Sequence, residues 1–265
     1  MRIVTLVKRV PDSRAAVRVR SDGSGIEAGG LKFVCDPFDE FGVAEAVLLR
    51  EQRSDVEEII ALSIGDSQAA EVLRYALAMG ADRAVHVESQ PLQEDPSLLH
   101  DEIVLARLLA AAIQQADLSA DLILCGKQNI DNDAGELGPA LAELLDLPHV
   151  GAVTRLEVAE DGSRVRVHRR IEGAEEVLDL RLPALITCEK GLIEPRTPPL
   201  PKLMKARKQP VETVEVALEK QNLPRVQLTG MSPPPSRTPC RFIEGEPPQM
   251  AAELVRLLRE EANVI

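Results

Sequence analysis

Tryptophan is absent from this chain, and other aromatics are scarce: four Phe and one Tyr among 265 residues. A single-stranded nucleic-acid platform needs rings on which bases stack, so that class of function is disfavoured. Positive charge is also in deficit, with 31 Lys and Arg against 43 Asp and Glu, a net of −12. A reader of phosphate backbones needs the opposite balance, so nucleic acid is not an expected partner. No apolar run approaches the ~20 residues of a membrane-spanning helix, and no membrane insertion is expected. The amino-terminal MRIVTLVKRVPD has too short an apolar run for a secretion signal and reads as a first strand. The four cysteines, Cys35, Cys125, Cys188 and Cys240, lie far apart, with no CxxC pair. That spacing argues against a zinc or iron–sulfur site and fits a reducing, cytoplasmic setting. His86, His100, His149 and His168 are isolated, and no GxGxxG, Walker or GxSxG element is present. Nothing in the chain pairs a nucleophile with a base, so no catalytic residue is assigned.

The residues that are present are mostly aliphatic, and they alternate between two periods. A chain of this length buries roughly 70–75 % of its unfolded surface, enough for one sizeable core. Strand-like runs at Ile3 to Val7, Glu58 to Ser63, Ala84 to Glu88 and Asp121 to Cys125 are separated by helical patterns. The helices are expected over Phe38 to Gln52, Ser67 to Met79, Pro96 to Ala116 and Gly135 to Leu145, with Gly80 ending the second. Strands alternating with helices of this length predict an α/β fold with a doubly wound, mostly parallel sheet. Val153–Ala159, Arg164–Ile171 and Glu176–Leu182 then read as strands joined by tight turns, an antiparallel edge on the same sheet. Beyond them come a strand at Ala184 to Thr187, a weak amphipathic piece from Val211 to Lys220, and a proline-rich extended stretch. A closing helix runs from Pro248 to about Glu261. The expected organisation is a nucleotide-binding α/β domain over 1–189, with a docking arm and carboxyl-terminal tail over 190–265.

In an open parallel sheet, ligands bind beyond the carboxyl ends of the strands, where the strand order reverses. Three strand ends carry suitable residues: Val7-Lys8-Arg9-Val10-Pro11-Asp12, Ser63-Ile64-Gly65-Asp66-Ser67, and the loop from Cys125 to Pro139. The last is the strongest candidate. Gly126 would let a ligand approach the backbone, Gly135 and Gly138 open a helix whose free N–H groups favour an anion, and Lys127 supplies charge. Asp131, Asp133 and Glu136 oppose a phosphate unless they point away or take ribose hydroxyls. The Ser63–Ser67 loop is only superficially like that of ATP pyrophosphatases, because it lacks a second glycine and follows the second strand.

The stretch Pro183 to Pro210, PALITCEKGLIEPRTPPLPKLMKARKQP, is the most distinctive. From Lys190 it carries Lys190, Arg196, Lys202, Lys205, Arg207 and Lys208 against Glu194 alone, in an otherwise acidic protein. After its strand it reads as a loop, stiffened by prolines at 195, 198, 199 and 201. Leu200, Leu203 and Met204 sit inside the basic run, the composition of a docking surface rather than of a solvated linker.

This arm resembles the signature of the electron-transfer flavoprotein beta-subunit family, a strand followed by NEPR or IEPR and then LPxxMKAKK. Here it reads Ile193-Glu194-Pro195-Arg196 and Leu200-Pro201-Lys202-Leu203-Met204-Lys205-Ala206-Arg207-Lys208. The family's GKQAIDxDxxQxG loop is matched at Gly126, Lys127, Gln128, Ile130, Asp131, Asp133 and Gly138. Its NP[FY] segment is matched by Asp36-Pro37-Phe38-Asp39-Glu40, with Asp36 in place of Asn. Ala76 to Asp82 matches its ALAMGAD helix end, so the likeness runs from about Arg2 to Ile265.

The resemblance implies an adenine-nucleotide site formed by Leu6, Val7, Lys8, Asp36, Pro37, Phe38, Asp39, Ile64, Gly126, Lys127, Gln128, Ile130, Asp131, Asp133, Ala134, Gly135, Glu136, Leu137 and Gly138. The occupant it implies is a second FAD, as in subunits that bifurcate electrons from NADH, with AMP as the alternative. Gly138-Pro139 looks like the FAD-holding kind, while Glu136 stands where both kinds carry Gln. The resemblance further implies an alpha-subunit partner with FAD at the interface, and an electron carrier rather than an enzyme. Flavin dehydrogenases of the acyl-CoA dehydrogenase type, or a quinone reductase, would dock at Leu200 flanked by Lys205 and Lys208. The rival readings on the same fold are an ATP-using adenylating or hydrolysing enzyme and a nucleotide-sensing module.

Overall fold

The computed structural model describes residues 1–89, 92, 96–116, 118–217, 226, 228–237 and 239–265. Its contacts divide the chain into two units, residues 1–231 and 232–265.

The larger unit is a three-layer α/β structure. Its strands are β1 (Arg2–Leu6), β2 (Arg9–Pro11), β3 (Phe33–Cys35), β4 (Glu58–Ile64), β5 (Arg83–Glu88), β6 (Leu122–Gly126), β7 (His149–Val158), β8 (Arg164–Ile171), β9 (Ala174–Arg181), β10 (Ala184–Cys188) and β11 (Glu212–Glu215). Nine of them form one sheet in the order β11-β5-β4-β1-β6-β10-β7-β8-β9. Pairing is parallel from β11 to β7 and antiparallel for β7–β8 and β8–β9. The expected fold class is therefore observed. The helices are α1 (Pro37–Gln52), α2 (Ala70–Met79), α3 (Glu102–Gln115), α4 (Leu137–Leu144), α5 (Leu200–Ala206) and, in the second unit, α6 (Pro247–Glu260).

Side-chain alternation along the central strands explains the two helical layers. Ile3, Ile59, Ala61, Leu122 and Leu124 face one core with Val43 and Leu49 of α1 and Leu73 and Ala76 of α2. Val4, Ile60, Leu62, Ile123 and Cys125 face the other with Leu105, Leu108 and Leu109 of α3 and Leu141 of α4. Strands buried on both faces read as unbroken apolar runs, the pattern seen in the sequence. Each such Ile or Leu adds roughly 1.5–3 kcal/mol by burial.

Four expectations are corrected. The helix expected from Pro96 to Ala116 is broken: Pro96–His100 forms a 3₁₀ turn, and α3 starts only at Glu102. Asp101 is the cause, because its carboxylate accepts from the N–H groups of Ile103 and Val104 at 3.0 and 3.1 Å, an N-cap. Similarly, the helix expected from Ser67 begins as a 3₁₀ turn over Ser67–Ala69, capped by Asp66. The piece expected to be amphipathic after Val211 is instead β11, which adds a parallel edge strand to β5, with Arg83 of β5 forked onto Glu212; its last residues, 218–220, lie outside the described residues. Finally, the arm is not a loop throughout. Its tip is α5, with Pro201 in the first turn, where no N–H is needed. The antiparallel pair β2–β3 had no clear signal in the sequence.

Within the second unit, α6 has no buried residue and leaves Leu254 and Val255 exposed. Arg256 pairs with Glu253 and Glu260 along its polar side. Among the described residues, no helix is long and apolar enough to cross a membrane.

Glu45 of α1 is buried against the sheet, and burial pushes its carboxyl up to about 7. Its charged form is thus disfavoured in the folded state. That penalty is absent below the ordinary value of 4.5, grows as pH rises from 4.5 to about 7, and is fully present above it. Glu45→Gln is expected to stabilise the chain at pH 8 by up to about 3 kcal/mol. In urea unfolding at pH 8, 6 and 4, the gain should shrink stepwise and be gone at pH 4; a gain independent of pH would contradict it.

Candidate functional site

Strand order reverses between β1 and β6. The chain winds from β1 to β4 and β5 on one side, then returns to place β6 on the other. A pocket opens at the carboxyl ends of these strands, where doubly wound folds take ligands. It is lined by Leu6, Val7 and Lys8 after β1, Leu62, Ser63 and Ile64 of β4, and Cys125 to Asn129 at the end of β6. Leu99, Glu102, Leu105 and Leu109 close one wall, and Ala134, Gly135, Leu137 and Gly138 the other, with Asp39 beneath.

Two buried carboxylates hold these strand ends together. Asp39 Oδ2 accepts from the Lys8 N–H and its Oδ1 from the Gly126 N–H, both at 2.8 Å. Asp36 Oδ1 accepts from the Phe38 N–H at 2.9 Å, capping α1, and its Oδ2 accepts from the Ile130 N–H at 2.8 Å. All four oxygens are thus spent on backbone amides after β1, at the end of β6 and at the start of α1. Burial raises the carboxyl of Asp36, helped by the charge of Asp131, and raises that of Asp39 well above its ordinary value; the Asp36 charge adds to the upward shifts of Asp39 and Glu40.

The loop after β6 closes on itself. Asn129 N–H donates to the Ala134 carbonyl, and Asp133, at φ 59°, donates its N–H to Asn129 O. Gln128 donates to the Asp133 carboxylate, and Asn132 Oδ1 accepts from the Ala134 N–H. Neither lysine of the pocket is free. Lys8 Nζ sits 3.0 Å from Asp131 and 4.0 Å from Glu102, while Lys127 pairs with Glu189 and lies 5.3 Å over the Phe38 ring. The amino end of α4 has no side-chain cap, which leaves the Leu137 and Gly138 amides uncapped, while Pro139 has no N–H.

Two pocket atoms lack partners among the described residues: Ser63 Oγ and Glu102 Oε2. Glu102 is 7 % exposed. Its Oε1 accepts from the side-chain amides of Asn129 and Asn132, each at 3.1 Å. Burial raises its carboxyl, against the downward pull of Lys8 and Asn132. A buried polar atom without a partner is unfavourable unless a ligand or water completes it, so the pocket has the character of a binding site.

On the opposite layer, α5 packs on the core through Ala206 and Leu203, and presents Leu200 and Met204, four residues apart, to the outside. Leu200 is 70 % exposed. Lys205 and Lys208 lie on the same exposed segment.

The electron transfer flavoprotein domain model matches residues 26–219. Among similar proteins, electron transfer flavoprotein subunit beta of Bacillus subtilis is 35% identical over 269 positions, covering 100% of both chains. The mouse subunit beta is 38% identical over 265 positions, covering 100% of this chain and 99% of its own. The chain belongs to the electron transfer flavoprotein beta-subunit family. Its role is electron transport within a flavoprotein, as a carrier.

Within this beta-subunit frame, twelve of the expected site residues line the pocket: Leu6, Val7, Lys8, Asp39, Ile64, Gly126, Lys127, Gln128, Ala134, Gly135, Leu137 and Gly138. Asp36, Pro37, Phe38, Ile130, Asp131, Asp133 and Glu136 stand outside its lining, Asp36 as the cap and tie described above. A Cβ on Gly126 would lie 2.7 Å from Phe38 Cβ, and one on Gly138 2.5 Å from Thr187 Cγ2, so packing against α1 and β10 by itself requires glycine at both positions. The helix expected from Gly135 starts at Leu137. Glu102 and the wall of Leu62, Leu99, Leu105 and Leu109 have no assignment as site residues in the sequence, whereas Ser63 and Asn129 lie within the candidate strand ends without an individual role. Glu102 was hidden because it was read as mid-helix; Asp101 ahead of an apolar run was the available signal.

Asp39→Ala is expected to leave two buried amides without acceptors and to lower stability by about 2–4 kcal/mol. Amide exchange at Lys8 and Gly126 should accelerate together, while Asp133→Asn, on the exposed loop, should leave both protected. Unchanged protection in Asp39→Ala would show that the carboxylate does not hold the strand ends.

Proposed function

We propose that this beta subunit holds an adenine nucleotide in the switch-point pocket and pairs with an electron transfer flavoprotein alpha subunit that carries the redox FAD at their interface. Electrons arrive from flavin dehydrogenases docked at α5 and leave to a downstream acceptor such as a quinone reductase. The observation that carries the nucleotide reading is the pocket itself, a leucine-walled slot at the strand reversal with two unpartnered buried polar atoms and uncapped helix amides at its rim. A base suits the apolar walls, and a phosphoryl group suits the free amides of α4. An ATP-using enzyme fits less well, because the segment after β1 that would carry its glycine-rich loop is Arg9-Val10-Pro11, paired into β2–β3.

The number of available donors favours AMP. Lys8 and Lys127 are each paired with a carboxylate, and the first turn of α4 offers only the N–H groups of Leu137 and Gly138 before Pro139, which suits one phosphoryl group better than two. Gly138-Pro139 at the helix start favours the second reading, a second FAD with NADH as electron donor. The deciding experiment is to denature the purified alpha–beta complex and quantify its nucleotides. One FAD and one AMP per heterodimer is the expected result. Two FAD would establish the second reading, and one FAD with no further nucleotide would remove the nucleotide from this subunit.

The docking reading rests on an apolar anchor set in a basic rim, the arrangement that gives specificity and fast encounter with an acidic partner. Leu200→Glu should slow dehydrogenase-dependent reduction of the complex by about tenfold or more, with nucleotide content unchanged. Equal rates in variant and wild type would place the dehydrogenase elsewhere.

A further inference from the structure

We propose that Glu102 selects the base of the bound nucleotide, its Oε2 accepting a hydrogen bond from the exocyclic amine of an aminopurine. The proposal rests on the nucleotide reading of the pocket and deepens it.

The two oxygens of Glu102 have different surroundings. Oε1 accepts from Asn129 and Asn132 and lies 4.0 Å from Lys8 Nζ, so it belongs to the polar loop after β6. Oε2 has no partner among the described residues, although the side chain is 7 % exposed and lines the pocket. Two amide donors and a nearby ammonium favour a carboxylate, which is an acceptor only. An unpartnered acceptor in a dry site discriminates strongly between ligands with and without a donor, because the wrong ligand leaves it unpaired. The wall around it, Leu62, Leu99, Leu105 and Leu109 together with Leu6 and Leu137, suits the faces of a flat base rather than a sugar or a phosphate. The lysines and Gln128 that suit those parts also line the pocket, but from the loops after β1 and β6. Ser63 Oγ, 2 % exposed and likewise unpartnered, supplies a hydroxyl that can donate to a ring nitrogen. An acceptor and a donor in one apolar slot complement the amine and adjacent nitrogen of an aminopurine edge.

The position of Glu102 follows from the helix break. Asp101 caps α3 and makes Glu102 its first residue, so the side chain leaves the helix at the pocket rather than on a solvated face.

The same contacts make the test sharp. In Glu102→Gln the amide oxygen must stay on Asn129 and Asn132, which only donate there, so the NH₂ takes the place of Oε2. An acceptor becomes a donor at unchanged size. The alpha–beta complex is denatured and refolded with one equivalent of FAD and an equimolar mixture of AMP and purine riboside 5′-monophosphate, which lacks the amine. The retained nucleotide is then quantified. Wild type is expected to favour AMP by about tenfold or more. Glu102→Gln should reverse or abolish that preference, and Glu102→Leu should abolish it without reversal, a pattern that general loosening of the fold would not produce. Retention of AMP with the same preference in both variants, or an equal loss of both nucleotides, would overturn the role of Glu102 and leave the nucleotide reading intact. Retention of neither nucleotide by wild type would overturn both.

Discussion

Four backbone amides bound to two buried carboxylates are the constraint on which the rest of this structure depends. Asp36 and Asp39 take the N–H groups of Phe38, Ile130, Gly126 and Lys8. Those amides come from segments far apart in sequence that meet only at the strand reversal. Burying two carboxylates close together is unfavourable, and the upward displacement of both titrations expresses that cost. Donors on every oxygen offset it, and what is gained is position. The loops after β1 and β6 are pinned to the head of α1, and the pocket between them acquires fixed walls.

The electrostatics of the pocket follow from this arrangement. An acidic protein that binds an anion would ordinarily offer unpaired cations, yet Lys8 and Lys127 are already held by Asp131 and Glu189. What remains for a ligand is a leucine-rich slot, two polar atoms without partners, and the free amides of α4. Such a site recognises shape and hydrogen-bond pattern more than total charge. That suits a nucleotide held as part of the scaffold. The pocket and the exposed apolar residues of the arm are built on separate elements. The pocket lies at the strand ends, whereas α5 packs through Leu203 and Ala206 and leaves Leu200 and Met204 outside.

Much of this was legible in the chain. The apolar runs at β1, β4, β5 and β6 and the helical patterns between them specify a parallel sheet because strands buried on both faces need no polar alternation. Gly80 was readable as a helix end, and it caps α2 at φ 138°. The arm was readable from its prolines and its apolar tip. Where the reading failed, a local side chain or a distant partner had intervened. Asp101 divided an apparently continuous helix, and β11 became a strand because the open edge of β5 was available to pair with it, which no window around Glu212 to Glu215 encodes.

The sequence by itself determined the alternation of strands and helices, the family, and the composition of the loops beyond the strands, because each depends on local periodicity or on a contiguous motif. Only the tertiary structure decided what individual residues of those loops do. Asp36 and Asp39 tie the strand ends together, Gly126 and Gly138 pack closely against α1 and β10, and Glu102 enters the pocket. Each of those roles depends on atoms brought together across the sheet, such as Gly126 against Phe38 or Glu102 against Asn129, and distance along the chain carries no information about them.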